Sequence, residues 1–275
     1  MGDIRVAGLV HVYRDGAVRA LNGVDLHIAA GERVALVGQN GSGKTTLARH
    51  LNGLLRPTEG RVTVDGTDAR TMTVAQLAAR VGLVFQDPDR QIFSGSVRSE
   101  VEFGPRNLGR RGPELSSAVE AALWSTGLSA EERTNPYDLG PSRRKLLALA
   151  SVLAMRTPVV VLDEPTTGQD ARGIDRVRSV IESVAAEGRT VLAISHDMRF
   201  VAEAFARVIV MRAGRIVLDG PPAEVFAARS REILQSTFLE PPLPAVVGAR
   251  LGLGDTPTDA ALVAALAARP IDGRG

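Results

Sequence analysis

Residues 38–46 read Gly-Gln-Asn-Gly-Ser-Gly-Lys-Thr-Thr, and Gly38, Gly43, Lys44 and Thr45 meet the G-x-x-x-x-G-K-[ST] pattern. Glycines let the backbone turn tightly enough for successive N–H groups to converge on phosphate oxygens, and a helix starting at the lysine presents its positive end to the same anion. The expected contact set is Gly38, Asn40, Gly41, Ser42, Gly43, Lys44, Thr45 and Thr46, with Lys44 on the β- and γ-phosphates and the Thr45 hydroxyl on Mg²⁺. The flanks fit this chemistry: residues 34–37 form an apolar, strand-like run and a helix-like run begins at Leu47. A glycine-rich turn that binds nothing is the weaker reading, because Lys44 and Thr45 are both in place.

A second set of residues completes such a site. The β-branched run Val159-Val160-Val161-Leu162 reads as a strand buried on both faces, and it ends in Asp163 and Glu164. Carboxylates at the carboxyl end of a buried strand lie where open α/β sheets bind ligands. Asp163 is the expected Mg²⁺ holder, and Glu164 is the candidate general base or orienting group for an attacking water. Helix N-termini attract acidic residues in any case, so the pair gains its meaning from the phosphate loop. His196 and Gln86 each end an apolar strand-like run, which allows contact with a γ-phosphate or simple solvation. Tyr13 is open between stacking on a base and packing on its own hairpin.

These residues need a scaffold. Strands are expected over residues 4–13, 24–28 and 33–37, with a turn at Asp15-Gly16 and an antiparallel edge. A helix follows over 44–54, then a strand at 61–64, a helix at 74–80 and a strand at 81–85. From 87 to 112 the pattern loosens around Pro88, Gly95, Gly104 and Pro105. Helices are expected at 114–126 and 142–155, so the insert is mostly helical. Further elements are a helix at 171–187, a strand at 190–194, and strands at 207–212 and 215–219 joined by Ala213-Gly214. Residues 230–275 read as an appendage of short helices whose end, 270–275, frays.

The bulk composition narrows the classes. At 275 residues and 44% hydrophobic, the chain is long enough for one large domain with a small appendage. The apolar run 146–155 is too short to span a bilayer, and Asp3 with an alternating pattern stands where a signal peptide would be, so a cytoplasmic protein is expected. No cysteine is available for disulfides or metal sites. Net charge is +2, pI is about 9.5, and Lys44 and Lys145 are the only lysines. Scattered basic residues and 4% aromatics argue against a nucleic-acid surface. Arg110-Arg111 and Arg143-Arg144-Lys145 are expected as solvated faces or contacts to a protein partner. The phosphate loop occurs once, so a mechanism with two nucleotide sites requires a second chain.

The order Tyr13, loop 38–46, Gln86, helical insert, Asp163-Glu164, Thr166-Thr167-Gly168-Gln169-Asp170 and Ser195-His196-Asp197 resembles the ATP-binding subunits of ABC transporters over about residues 3–225. The resemblance implies an α/β P-loop NTPase fold of the ABC ATPase type: a mixed central sheet with an antiparallel β edge, a helical subdomain at about 87–157 within an ATPase domain of 1–229, and the C-terminal appendage 230–275. It implies ATP and Mg²⁺ as cofactors, Tyr13 on adenine, Gln86 near Mg²⁺ and the membrane-subunit interface, His196 on the γ-phosphate, and Asp170 in the loop facing a second ATPase. The segments Val84-Phe85-Gln86-Asp87-Pro88-Asp89-Arg90-Gln91-Ile92-Phe93 and Val101-Glu102-Phe103-Gly104-Pro105-Arg106-Asn107-Leu108-Gly109 look like the energy-coupling-factor branch, which drives uptake of vitamins and of cobalt or nickel ions. That branch implies a transmembrane coupling subunit, a substrate-binding membrane subunit, a peripheral place on the cytoplasmic face of the membrane, and a dimerising role for the appendage. Asp87, Asp89 and Glu100 are candidates for meeting basic coupling helices.

One departure stands out against the family pattern. Where relatives carry Leu-Ser-Gly-Gly-Gln, this chain has Leu139-Gly140-Pro141-Ser142-Arg143, so proline removes one N–H and the serine is displaced by two positions. Gly140 and Ser142 are the residues left to face the opposite subunit's γ-phosphate, and Ser142 is expected to cap the helix and present its hydroxyl. The expectation is a heterodimer with an ATPase whose signature is intact, a homodimer being the alternative. The rival function is a soluble ABC-type ATPase acting on nucleic acid or the ribosome, but the chain has neither paired ATPase domains nor a long coiled-coil insert.

Overall fold

The computed structural model describes residues 1–13, 16 and 18–269. Asp15 of the expected first turn and the end 270–275 lie outside the described residues.

Two sheets carry the chain. The first is antiparallel, ordered β2-β1-β4-β5, from β1 (Ile4–Val12), β2 (Arg19–Ile28), β4 (Glu59–Val64) and β5 (Thr67–Asp68). The second has six strands, ordered β10-β9-β3-β8-β7-β6: β3 (Arg33–Gly38), β6 (Val81–Val84), β7 (Val159–Asp163), β8 (Thr190–Ile194), β9 (Arg207–Arg212) and β10 (Arg215–Gly220). Its strands pair in parallel except for the β9–β10 hairpin, which turns through Ala213 and Gly214. This is the expected mixed sheet with a separate antiparallel edge.

The alternation of side chains explains why both faces of the second sheet are apolar. Val34 and Leu36 of β3, Val159 and Val161 of β7, and Leu192 and Ile194 of β8 enter a core shared with the antiparallel sheet. Ala35 and Val37, Val160 and Leu162, and Val191 and Ala193 point the other way, into a second core filled by helices. Helix α1 (Lys44–Leu51) buries Leu47, Ala48 and Leu51 in the first core. Helix α2 (Val74–Ala78) comes after β4 and β5 and opens with a Thr73–Gln76 capping box.

The insert is helical, as expected, but contains a helix the pattern hides. Helix α3 (Val97–Asn107) runs through the stretch that reads as loose, with Pro105 inside it. A Ser96–Ser99 capping box starts it. Gly104 is a packing glycine: a Cβ there would meet Met155 Cγ at 2.6 Å, so the residue that looks like a breaker lets α3 approach its neighbour. Glu100 is corrected by the structure. It is buried, and one carboxylate oxygen accepts the N–H groups of Phe93 (3.1 Å) and Ser94 (2.8 Å), so it does not face solvent for a coupling helix. Helices α4 (Gly112–Thr126) and α5 (Pro141–Ala154) complete the insert and pack on the second core.

Helix α6 (Ala171–Ala186) and helix α7 (Met198–Ala204) follow β7 and β8 and are N-capped by Asp170 and Asp197. After β10 come α8 (Pro222–Val225), α9 (Arg231–Ser236), α10 (Leu243–Leu251) and α11 (Asp259–Ala267). Leu234, Leu239 and Ala245 join the second core, and Arg199 pairs with Asp259 at 2.6 Å, so the C-terminal helices pack on the preceding part of the chain. Among the described residues no helix is long and apolar enough to cross a membrane.

Candidate functional site

The site lies at the carboxyl ends of four adjacent parallel strands. Register pairs Leu36 and Asp163 with Ile194, and Leu162 with Val84, which aligns the ends of β3, β8, β7 and β6. Those ends deliver the loop 38–46, His196, Asp163-Glu164 and Gln86 in that order across the sheet, the edge where open α/β sheets hold ligands.

The loop's glycines are required by contact as well as by conformation. Gly38 has φ +149°, and a Cβ there would meet the Met211 carbonyl oxygen at 2.3 Å. Gly43 has φ +104°, and a Cβ would meet the Ala20 carbonyl oxygen at 2.6 Å. Lys44 is buried, and its ammonium donates to the carbonyls of Gly38 (2.6 Å) and Gln39 (2.9 Å) and to Ser42 Oγ (3.4 Å). Burial pushes the Lys44 ammonium below the ordinary lysine value, and the charges of Glu164 and Asp163 oppose that shift.

A cleft of about 270 Å³ is lined by Tyr13, Asn40, Gly41, Gly43, Lys44, Thr45, Thr46, Gln86, Asp163 and Glu164, together with Val18, Arg19 and Ala20. Residues from both halves of the expected site thus line one cleft, with Gly38, Ser42 and His196 outside its lining. Thr45 Oγ1 donates to Asp163 Oδ2 at 3.1 Å. Burial raises the Asp163 carboxyl above its ordinary value, the Thr45 hydrogen bond lowers it, and the neighbouring Glu164 charge raises it further. Glu164 is buried, while His196 is exposed with its Nδ1 2.7 Å from Glu164 Oε2.

Among the described residues no group of three or more His, Cys, Asp or Glu converges to hold a metal unaided. Thr45, Asp163 and Gln86 instead offer a sparse, all-oxygen donor set in the cleft, which fits Mg²⁺ shared with substrate phosphates.

Tyr13 shares a 3.0 Å hydrogen bond with Thr46 Oγ1 and meets His11 edge-on, with ring centroids 4.7 Å apart. His11 in turn contacts buried His50, whose Nδ1 lies 2.7 Å from the Thr46 carbonyl. This histidine support beneath the tyrosine is absent from the motif pattern.

The segment 139–143 differs from expectation. Helix α5 begins at Pro141, with Gly140 as an N-cap that makes no side-chain hydrogen bond, so Ser142 sits inside the first turn and is not the cap. Its hydroxyl donates to Gln169 Oε1 at 2.7 Å, and Gln169 Nε2 donates back to the Ser142 carbonyl at 3.0 Å. Asp170 accepts the Gly173 N–H at 2.8 Å and is exposed at the start of α6.

The basic run 143–145 is also corrected. Arg143 bonds the Gly127 carbonyl and pairs with Glu131, and Arg144 pairs with Asp89 at 3.4 Å. Lys145 is buried, with its ammonium on the carbonyls of Glu164 and Thr167. The available signal was lysine itself, since every other basic residue except Lys44 is arginine or histidine.

The ABC transporter family pattern matches residues 21–167. Curated relatives from Methanosarcina acetivorans and Methanosarcina mazei are 44% identical over 242 and 245 residues, or 88% and 89% of this chain, which spans only 39% and 41% of their lengths. The energy-coupling factor transporter ATP-binding protein EcfA of Methanothermobacter thermautotrophicus is 38% identical over 261 residues, covering 94% of this chain and 83% of that protein. The solved structure of cbiO1 from Clostridium perfringens, described as part of the ABC transporter complex cbiONQ, matches with a TM-score of 0.75 at 34% identity, covering 90% of this chain and 98% of that one. The chain belongs to the ABC transporter family, among the ATP-binding proteins of the energy-coupling-factor kind.

Proposed function

We propose that this chain is the ATP-hydrolysing subunit of a membrane importer of the energy-coupling-factor type. The observation that carries the reading is the meeting of Lys44 and Thr45 with Asp163 and Glu164 in one cleft, with His196 bonded to Glu164. ATP lies with its phosphates on the loop 38–46, under the N-terminus of α1, and with adenine against Tyr13. Lys44 exchanges its loop carbonyls for β- and γ-phosphate oxygens. Thr45, Asp163 and Gln86 would hold Mg²⁺, which would neutralise phosphate charge when bound. Water attacks the γ-phosphorus, the bond to the bridging oxygen breaks, and ADP leaves with phosphate. Glu164 orients that water and takes its proton, a role worth about 10² to 10⁴ in rate. His196 fixes the carboxylate and reaches the γ-phosphate.

The other half of the site comes from a second ATPase packed head to tail, with Asp170 in the facing loop. A heterodimer is favoured because Pro141 occupies the first turn of α5 and the Ser142 hydroxyl is committed to Gln169. The region from Gln86 to Phe103 meets the transmembrane coupling subunit on the cytoplasmic face of the membrane. Supporting this, Phe93 and Phe103 are 58% and 48% exposed and pack edge to face at 4.7 Å, an apolar pair left in solvent. A substrate-binding membrane subunit selects the cargo, a vitamin or a cobalt or nickel ion, in line with the description of the Clostridium perfringens neighbour as part of cbiONQ. The ATPase domain is 1–229, and the appendage 230–275 assists dimerisation.

The test is co-purification of the tagged chain with its membrane subunits, followed by ATP-dependent uptake of radiolabelled cobalt, nickel or vitamin into proteoliposomes. Uptake abolished by Lys44→Ala supports the reading. Capture of RNA or DNA in a salt-sensitive complex, with no membrane subunit, contradicts it.

A further inference from the structure

Lys145 stands apart from its neighbours in the basic run. It is 8% exposed, one turn into α5, and its Nζ donates to the carbonyl oxygens of Glu164 at 2.8 Å and Thr167 at 2.9 Å. Burial lowers its pKa below the ordinary lysine value, while the charges of Glu164, Asp163 and Asp87 favour the ammonium. A buried ammonium is costly unless its hydrogen bonds are made, so this placement fixes the carbonyls as much as it fixes the lysine.

The backbone it grips is a special one. Glu164 has φ +53°, in the left-handed region that non-glycine residues avoid. Such a conformation costs on the order of 1–3 kcal/mol and persists where its surroundings over-determine it. Here the Glu164 N–H donates to the Ile194 carbonyl at 2.9 Å and the Glu164 carbonyl accepts from Lys145, so both polar groups of the peptide backbone are held. The side chain that leaves this backbone carries the carboxylate bonded to His196.

Helix α5 holds the same loop further on, where Ser142 and Gln169 exchange two hydrogen bonds. Its first turns therefore bind loop 164–169 at Glu164, Thr167 and Gln169. The N-terminus of α5 is also the end that faces the partner subunit under the proposed function.

We propose that Lys145 is a positioning residue for hydrolysis: it locks the left-handed backbone of Glu164 to the start of α5, so that the setting of the carboxylate follows the position of that helix. The inference rests on the reading of Glu164 as the base. Lys145 touches neither substrate nor reacting atoms and acts through Glu164 alone.

The full chain, assayed with a partner ATPase bearing an intact Leu-Ser-Gly-Gly-Gln segment, tests this. Lys145→Met keeps the stem and removes the donors; its kcat is expected to fall about 10²-fold, the scale of a 1 Å misplacement, while KM and Kd for ATP stay within about threefold. Lys145→Arg, which keeps charge and donors, recovers most of the turnover. The double variant Lys145→Met/Glu164→Gln falls no further than Glu164→Gln, because both changes act on one group. Lys145→Gln, with one donor, shows the same split to a smaller degree and serves if the methionine variant does not fold. Wild-type kcat in Lys145→Met, a parallel loss of ATP affinity, or multiplicative losses in the double variant overturns the proposal. If Glu164→Gln is inactive and Lys145→Met is not, Lys145 alone loses its role. If Glu164→Gln turns over normally, the base assignment falls and the Lys145 proposal with it.

Discussion

Glu164 Oε2 lies 2.7 Å from His196 Nδ1, so the side chain after β7 and the side chain after β8 form one hydrogen-bonded unit at the end of the sheet. With Nδ1 committed to the carboxylate, His196 Nε2 is directed away from Glu164, and the ring holds the carboxylate in one orientation. His196→Ala is expected to reduce ATP turnover about 10²-fold with ATP affinity changed less than about threefold. Steady-state kinetics together with equilibrium binding of a fluorescent ATP analogue check this.

Asp163 gives a pH-dependent stability with a defined sign. Its folded-state carboxyl is raised above 3.8 by burial, so the folded state binds the proton more tightly than the unfolded chain does. The stabilising contribution is complete below 3.8 and is lost as pH rises through the raised folded value. At neutral pH the ligand-free Asp163→Asn variant is therefore expected to melt above wild type, and the gap closes in acid. Thermal melts across pH read this directly, while Mg²⁺-dependent ATP binding by the variant is weakened.

Restoring the signature tests the asymmetry between the phosphate loop and α5. Gly140→Ser, Pro141→Gly and Ser142→Gly together return a serine hydroxyl and a backbone donor to the helix N-terminus. Turnover by the chain alone is expected to rise about tenfold or more, since single donors on a developing charge are worth about 10² to 10³. Measurement over a concentration series separates this from tighter self-association.

Glu100 is a structural acid. Glu100→Ala leaves the Phe93 and Ser94 N–H groups without their acceptor, at a cost of about 1–3 kcal/mol. Urea denaturation is expected to show a lower midpoint, with the ATP affinity of the folded protein retained.

The strands that frame the site were legible because β3, β7 and β8 are buried on both faces and read as unbroken apolar runs ending in chemistry. Helix α3 was not, because Gly104 and Pro105 look like breakers, while the reason for Gly104 lies elsewhere in space, at Met155 just after α5. Glu100 and Lys145 were misread for one common reason. A charged side chain suggests solvent, whereas these two are satisfied by backbone groups that only the tertiary fold brings to them. Ser142 carried the right chemistry at the right helix end, but its partner Gln169 lies 27 residues away in sequence.

The most direct measurement is ATP turnover by Glu164→Gln in the assembled ATPase pair, with ATP retention measured on the same sample. In a heterodimer the partner's corresponding glutamate is replaced as well, so that only this chain's site reports. The predicted result, set against the same assembly with Glu164 intact, is turnover reduced about 10²-fold or more with Mg-ATP still bound. Turnover within about threefold of the Glu164 assembly contradicts the assignment of Glu164 as the base.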